Sequence, residues 1–192
     1  NLTFVEDILK HNQDVVVIVD EAYIDFGGAT ALPLLEKYEN LLVVRTFSKS
    51  RSMAGLRIGY AIGNQELIKA LNDVKYSFNS YTMNLPSILL GTASLKDEPY
   101  FRETTEKIME TRSWFESEMQ KLGFSFPDSK ANFIFASHKE VPAKEIFEAA
   151  KEHKIYVRYF EKPRIDNYLR ISIGTREEMQ KLLDFLTDYL NR

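Results

Sequence analysis

"LLVVRTFSKSRSMAGLRIGY", residues 41–60, holds two apolar runs separated by a polar, glycine-containing segment. Leu41 to Thr46 reads as a strand, because a short unbroken run of apolar and β-branched residues is the pattern of a strand covered on both faces. The run leads into Ser48-Lys49-Ser50, and Arg57 follows eight residues after Lys49 at the head of a second strand, Arg57 to Ile62. Packing does not require an ammonium, several hydroxyls and a guanidinium where a buried strand ends.

Upstream, Val15 to Val19 is a similar run ending in Asp20. Gly27-Gly28 and a helical patch over Leu32 to Tyr38 separate it from Leu41 and read as a crossover between parallel strands. Residues 3–11 read as an amphipathic helix with Thr3 as N-cap and Glu6 at capping-box spacing. Downstream, Gln65 to Val74 is helical, residues 78–86 are turn-rich, and a helix runs through Leu89 and Leu90. These elements predict an α/β fold with a partial, mainly parallel sheet.

Lys96-Asp97-Glu98-Pro99 marks a boundary between a first domain, 1–95, and a second, 96–192. A charged helix from Tyr100 to Leu122, stopped at Gly123, opens the second domain. Short strands follow at Phe124 to Phe126 and Asn132 to Ala136, then a helix from Ala143 to His153. Strands at Ile155 to Tyr159 and Tyr168 to Ile173 precede a closing helix, Arg176 to Leu190, giving a compact α+β domain. Trp114 reads as packing within the charged helix.

Composition narrows the function classes. The chain has 192 residues, is 44% hydrophobic and 28% charged, and carries a formal net charge of −3. That balance predicts neither a nucleic-acid nor a membrane-surface partner. No apolar stretch approaches the roughly 20 residues of a membrane-spanning helix. Cysteine is absent, which excludes disulfides and thiolate metal sites and fits a reducing cytoplasm. His11, His138 and His153 share no ligand spacing, so no metal is expected; His138 and His153 read as surface residues. The chain begins with Asn1, without an initiator methionine or a signal peptide, and reads as starting partway through a longer protein.

Ligands of open α/β sheets bind beyond the carboxyl ends of the strands. Taken singly, Asp20 reads as a turn cap, Lys49 as a solvated lysine and Arg57 as half of an ion pair. Taken together with Tyr23, they match what pyridoxal phosphate needs. A lysine must shed its proton to attack an aldehyde. A carboxylate must face the pyridinium nitrogen. A hydroxyl and a guanidinium must hold the phosphate.

Asp20-Glu21-Ala22-Tyr23-Ile24-Asp25-Phe26, Thr46-Phe47-Ser48-Lys49 and Ala54-Gly55-Leu56-Arg57-Ile58-Gly59-Tyr60 resemble the fold-type I, pyridoxal-phosphate-dependent aminotransferases of class II. The similarity extends to Leu169-Arg170-Ile171-Ser172-Ile173-Gly174-Thr175 near the C-terminus, and is strongest to the branch that acts on histidinol phosphate in histidine biosynthesis. The resemblance implies that Lys49 is the Schiff-base lysine and proton carrier. It implies that Asp20 faces the pyridine nitrogen, Tyr23 bonds the ring's phenolic oxygen, and Ser48 and Arg57 bind the phosphate.

On the substrate side, Arg170 would receive the carboxylate of glutamate or the phosphate of histidinol phosphate, with Arg158 as a second arginine; Asn132 would be structural. The family also implies 2-oxoglutarate as amino acceptor, a cytoplasmic homodimer, a large cofactor domain holding residues 1–95 and a small domain holding 96–192. Its members are about twice this length, and their N-terminal half carries the phosphate-binding turn and the residue stacked on the cofactor, so the 192 residues alone are expected to be inactive. An aromatic amino-acid aminotransferase and a pyridoxal-dependent amino-acid-phosphate decarboxylase are alternatives within the resemblance. A non-catalytic α/β binding module is the alternative outside it.

Overall fold

The computed structural model describes residues 2–191. The chain forms two compact units, residues 1–102 and 103–192. No helix among the described residues is long and apolar enough to cross a membrane.

The first unit is built on a three-stranded sheet of order β1-β2-β3. α1 (Leu2–His11) precedes β1 (Val17–Asp20), and β2 (Leu41–Thr46) lies parallel to β1 with Asp20 opposite Val44. The crossover between them holds two single helical turns, Ile24–Phe26 and Leu32–Glu36. β3 (Gly59–Gly63) runs antiparallel to β2, with Thr46 opposite Gly59. Residues 47–58 form no crossover helix that could carry the chain to the far end of the sheet, so the strand returns from the same end. α2 (Gln65–Phe78) and α3 (Leu85–Lys96) follow, each N-capped by an asparagine, Asn64 and Asn84.

Leu9, Leu34, Leu41 and Val43 form the core of this unit, with Val17 and Val19 packed against them. Each such aliphatic side chain contributes about 1.5–3 kcal/mol of burial. The expectation of strands covered on both faces holds for Leu41, Leu42 and Val43, but not for β1. There residues alternate, and Ile18 is 60% exposed on the face opposite the core. Val15 and Val16 are exposed and precede the strand. Thr3 lies inside α1 rather than capping it.

α4 (Glu98–Lys121) spans the division between the units. Beyond it the second unit is an antiparallel sheet of order β4-β5-β7-β6. The strands are β4 (Phe124–Ser125), β5 (Phe133–His138), β6 (Arg158–Tyr159) and β7 (Leu169–Ser172). α5 (Ala143–Glu152) and α6 (Arg176–Leu190) complete it. Ile134, Ala136, Leu169 and Ile171 point from the sheet into one core with Phe115, Met119 and Leu186 of the helices. Gly123 takes φ 86° after α4, the left-handed conformation glycine adopts most readily. Thr175 and Glu178 form a capping box on α6, an arrangement whose cap residue alone is worth about 1 kcal/mol. Trp114 packs on the core as expected and also takes the Arg176 guanidinium over its ring.

The β6 strand is shorter than the run Ile155 to Tyr159, pairing only through Arg158 and Tyr159. His138 is not a surface residue: it is 7% exposed. Its Nδ1 accepts from the amides of Glu140 and Val141, so its Nε2 donates to the Leu122 carbonyl. The ring thus ties the end of β5 to the end of α4.

Candidate active site

The parallel pair β1–β2 and the antiparallel return of β3 bring three chain segments to one end of the first sheet. Asp20 ends β1, Ser48-Lys49-Ser50 follows β2, and Arg57 precedes β3. Asp20 is exposed, and its Oδ1 accepts from the amide of Ala22 at 2.9 Å. This side-chain turn redirects the backbone toward Tyr23.

The loop after β2 is folded on itself. The Thr46 hydroxyl accepts from the Ser48 amide and donates to the Ile58 carbonyl, while the Phe47 amide donates to that same carbonyl. The Ser52 amide closes a turn onto the Lys49 carbonyl at 3.1 Å. Lys49 stands exposed at that turn with its Nζ 5.4 Å from the centre of the Tyr23 ring. Ser50 is buried and donates to Asp25 Oδ2. Arg51 is anchored on the carbonyl of Ser94 at 2.7 Å and stacks on Phe101 at 4.1 Å.

Ser52 and Arg57 both hold φ near 55°, a left-handed conformation that costs a non-glycine residue about 1–2 kcal/mol. Such strain persists where surrounding contacts enforce it. α3 supplies them: Ser87 Oγ donates to the Leu56 carbonyl at 2.9 Å. At Gly91 the helix backbone comes close to Ile58: a Cβ there would lie 2.7 Å from Ile58 Cδ1, so a larger residue would require that side chain to shift. Arg57 is exposed, with Nη1 on the carbonyl of Ala54, and no carboxylate among the described residues lies within ion-pair distance of it. Among the described residues, then, Arg57 has no ion-pair partner. The chemistry of this donor set, a carboxylate, a phenol, an amine, a hydroxyl and an unpaired guanidinium at one sheet end, fits pyridoxal phosphate.

The second unit places Arg158 and Arg170 opposite each other on β6 and β7. Arg170 also faces Phe135 across β5 and lies 5.3 Å from the Phe133 ring. Its Nε is buried without a hydrogen-bond partner among the described residues. Like charges directly opposite on a sheet destabilise it, so this pair is suited to an anion. Phe135 in turn stacks on Tyr168 at 4.6 Å. The Asn132 carbonyl accepts from the Ile173 amide at 2.9 Å, joining the lead-in of β5 to the residue after β7.

Sequence reasoning missed the network behind the strand ends. Glu21, 5% exposed, accepts from Arg45 at 2.8 Å, from the Thr30 hydroxyl and from the Ala31 amide. Burial opposes the Arg45 charge, but hydrogen bonds to Glu21 and Tyr60 outweigh it and hold the guanidinium above its ordinary range. The available signal was a charge inside an apolar strand, which must find a partner. The roles of Asp25 and Ser50 had no such signal.

The family description "Aminotransferase class I and II" matches residues 1–186. The chain belongs to this family. It is 54% identical over its full length to histidinol-phosphate aminotransferase of Lactococcus lactis subsp. lactis strain IL1403, of which it covers 53%. Histidinol-phosphate aminotransferase of Clostridium botulinum strain 657 is 52% identical over the same 192 residues. The chain spans about half the length of the curated relatives it matches. Among solved structures, histidinol-phosphate aminotransferase from Clostridium acetobutylicum superposes with a TM-score of 0.87 and 25% identity, covering 96% of this chain and 57% of that one. The fold is therefore that of the fold-type I aminotransferases.

Proposed function

We propose that this aminotransferase chain works, within a protein of its relatives' length, in pyridoxal-phosphate-dependent amino transfer between histidinol phosphate and 2-oxoglutarate in histidine biosynthesis. The observation that carries the reading is the gathering of Asp20, Tyr23, Ser48, Lys49 and Arg57 at one sheet end. Identity of 54% and 52% to two histidinol-phosphate aminotransferases supports the substrate. The cytoplasmic location and homodimer of the reading rest on the family resemblance.

The first unit would belong to the cofactor domain and the second to the small domain. Pyridoxal phosphate supplies an electron sink for negative charge developing at the substrate's α-carbon. Asp20 would sustain that sink by keeping the pyridine nitrogen protonated, and Tyr23 would donate to the ring's phenolic oxygen. Ser48 and Arg57 would hold the phosphate through charge-assisted hydrogen bonds. The Lys49 amine would anchor the cofactor's aldehyde carbon and, once released, take the proton from the substrate's α-carbon and return it. Arg170, with Arg158 beside it, would orient the substrate by its anionic group, since a planar fork matches carboxylate and phosphate.

The test is amino transfer by the full-length protein from histidinol phosphate to 2-oxoglutarate, followed as glutamate formed. Transfer that Lys49→Ala abolishes supports the reading. Absence of transfer, or an unchanged rate in Lys49→Ala, overturns it.

A further inference from the structure

The Lys49 side chain is exposed, and among the described residues its amine forms no ion pair or hydrogen bond that would fix it. Its direction therefore depends on the backbone around it. Ser50 is 6% exposed and places its hydroxyl on Asp25 Oδ2 at 2.5 Å. A bond from a hydroxyl to a carboxylate is of the stronger, charge-assisted kind.

The far end of this bond is also fixed. Asp25 sits in the helical turn Ile24–Phe26, where the Phe26 amide donates to the Tyr23 carbonyl at 3.2 Å and the Gly28 amide to Ile24 at 3.1 Å. The Phe26 side chain is wholly buried and seats the turn. Asp25 thus stands two residues after Tyr23, and Ser50 one residue after Lys49. The bond ties together the two backbones that carry the phenol and the amine, whose separation is 5.4 Å from Nζ to ring centre. Arg51 ties the loop elsewhere, to Ser94 and Phe101.

We propose that Asp25 is a positioning residue: through Ser50 it latches the Lys49 turn to the Tyr23 turn and sets where the amine points. The proposal rests on the pyridoxal phosphate reading above. It assigns Asp25 no contact with cofactor or substrate. An acceptor is the first requirement and its charge strengthens the bond, so asparagine should keep the latch in part and alanine should lose it.

The experiment compares Asp25→Ala, Asp25→Asn and Ser50→Ala in the full-length protein, with a thermal melt confirming that each folds. Without cofactor, hydrogen exchange of the amides around residues 48–52 should quicken about tenfold or more in both alanine variants, the scale of losing one strong hydrogen bond. With pyridoxal phosphate bound, the pH midpoint of the long-wavelength absorption band should move by at least about half a unit in those two variants. Asp25→Asn should restore both readouts in part, leaving it between the unmodified protein and the alanine variants. Ser50→Ala attacks the latch from its other side and decides the matter if Asp25→Ala does not fold. A band whose midpoint stays put in the alanine variants overturns the latch and leaves the cofactor reading intact. No band in the unmodified protein overturns the cofactor reading and the latch with it.

Discussion

Arg170 has its Nε buried without a hydrogen-bond partner among the described residues, while a second arginine, Arg158, stands opposite on the neighbouring strand. An unsatisfied buried donor costs about 1–3 kcal/mol, which a bound carboxylate or phosphate would offset. Arg170→Lys keeps the charge and loses the planar fork. We expect kcat/KM for both glutamate and histidinol phosphate to fall by the equivalent of about 2–5 kcal/mol. Unchanged kinetics on both would make the arginine structural. Glu116 is a second residue with a stated sign. Burial raises its carboxyl above the ordinary range, with Asp128 adding to the rise and Arg112 opposing it. The folded state then binds the proton more tightly than the unfolded state. Glu116 therefore weighs against stability progressively as pH rises from the carboxylate range through its raised midpoint. Glu116→Gln should stabilise the protein at pH 7 and change little at low pH, by less than about 1 kcal/mol because the group is partly solvated. Urea midpoints at the two pH values check this; equal shifts at both would contradict it.

The strand–loop–strand element from Leu41 to Gly63 was the most legible part of the chain, because its apolar runs are short and its polar interval is dense. Less legible were features set by partners distant in sequence. The facing of Arg158 and Arg170 depends on the register of β6 against β7 across an irregular intervening segment, and the burial of His138 depends on a carbonyl at Leu122. The Ser50–Asp25 bond links residues that the sequence places beside Lys49 and within the Tyr23 motif but to which it assigns no role of their own. Glu21–Arg45 belongs to the same class, and its energetics are testable. With side-chain exposures of 3% and 19%, removing one partner leaves the other charge stranded. Arg45→Met should cost about 3 kcal/mol in urea unfolding, near the lower end for a buried pair. Adding Glu21→Gln should recover much of it, since the amide oxygen still accepts from Ala31 and no charge remains. A single-variant cost below about 1 kcal/mol would show that water already screens the pair.

Across the whole molecule, the residues assigned to cofactor, 20–57, fall in the first unit and those assigned to substrate, 158–170, in the second. On the proposed reading each sheet would supply one part of the chemistry, the strand ends of the first the cofactor groups and the paired Arg158 and Arg170 of the second the substrate groups. The apolar runs predicted strands covered on both faces, yet Ile18 is 60% exposed, because α1 and the crossover cover β1 from one side only among the described residues. The central claim is that Lys49 is the lysine that binds the cofactor. Borohydride reduction of the full-length protein with pyridoxal phosphate bound, followed by peptide mapping, tests it most directly. The account predicts a single stable label on Lys49, lost in Lys49→Ala; a label on Lys69 or Lys75 instead would contradict it.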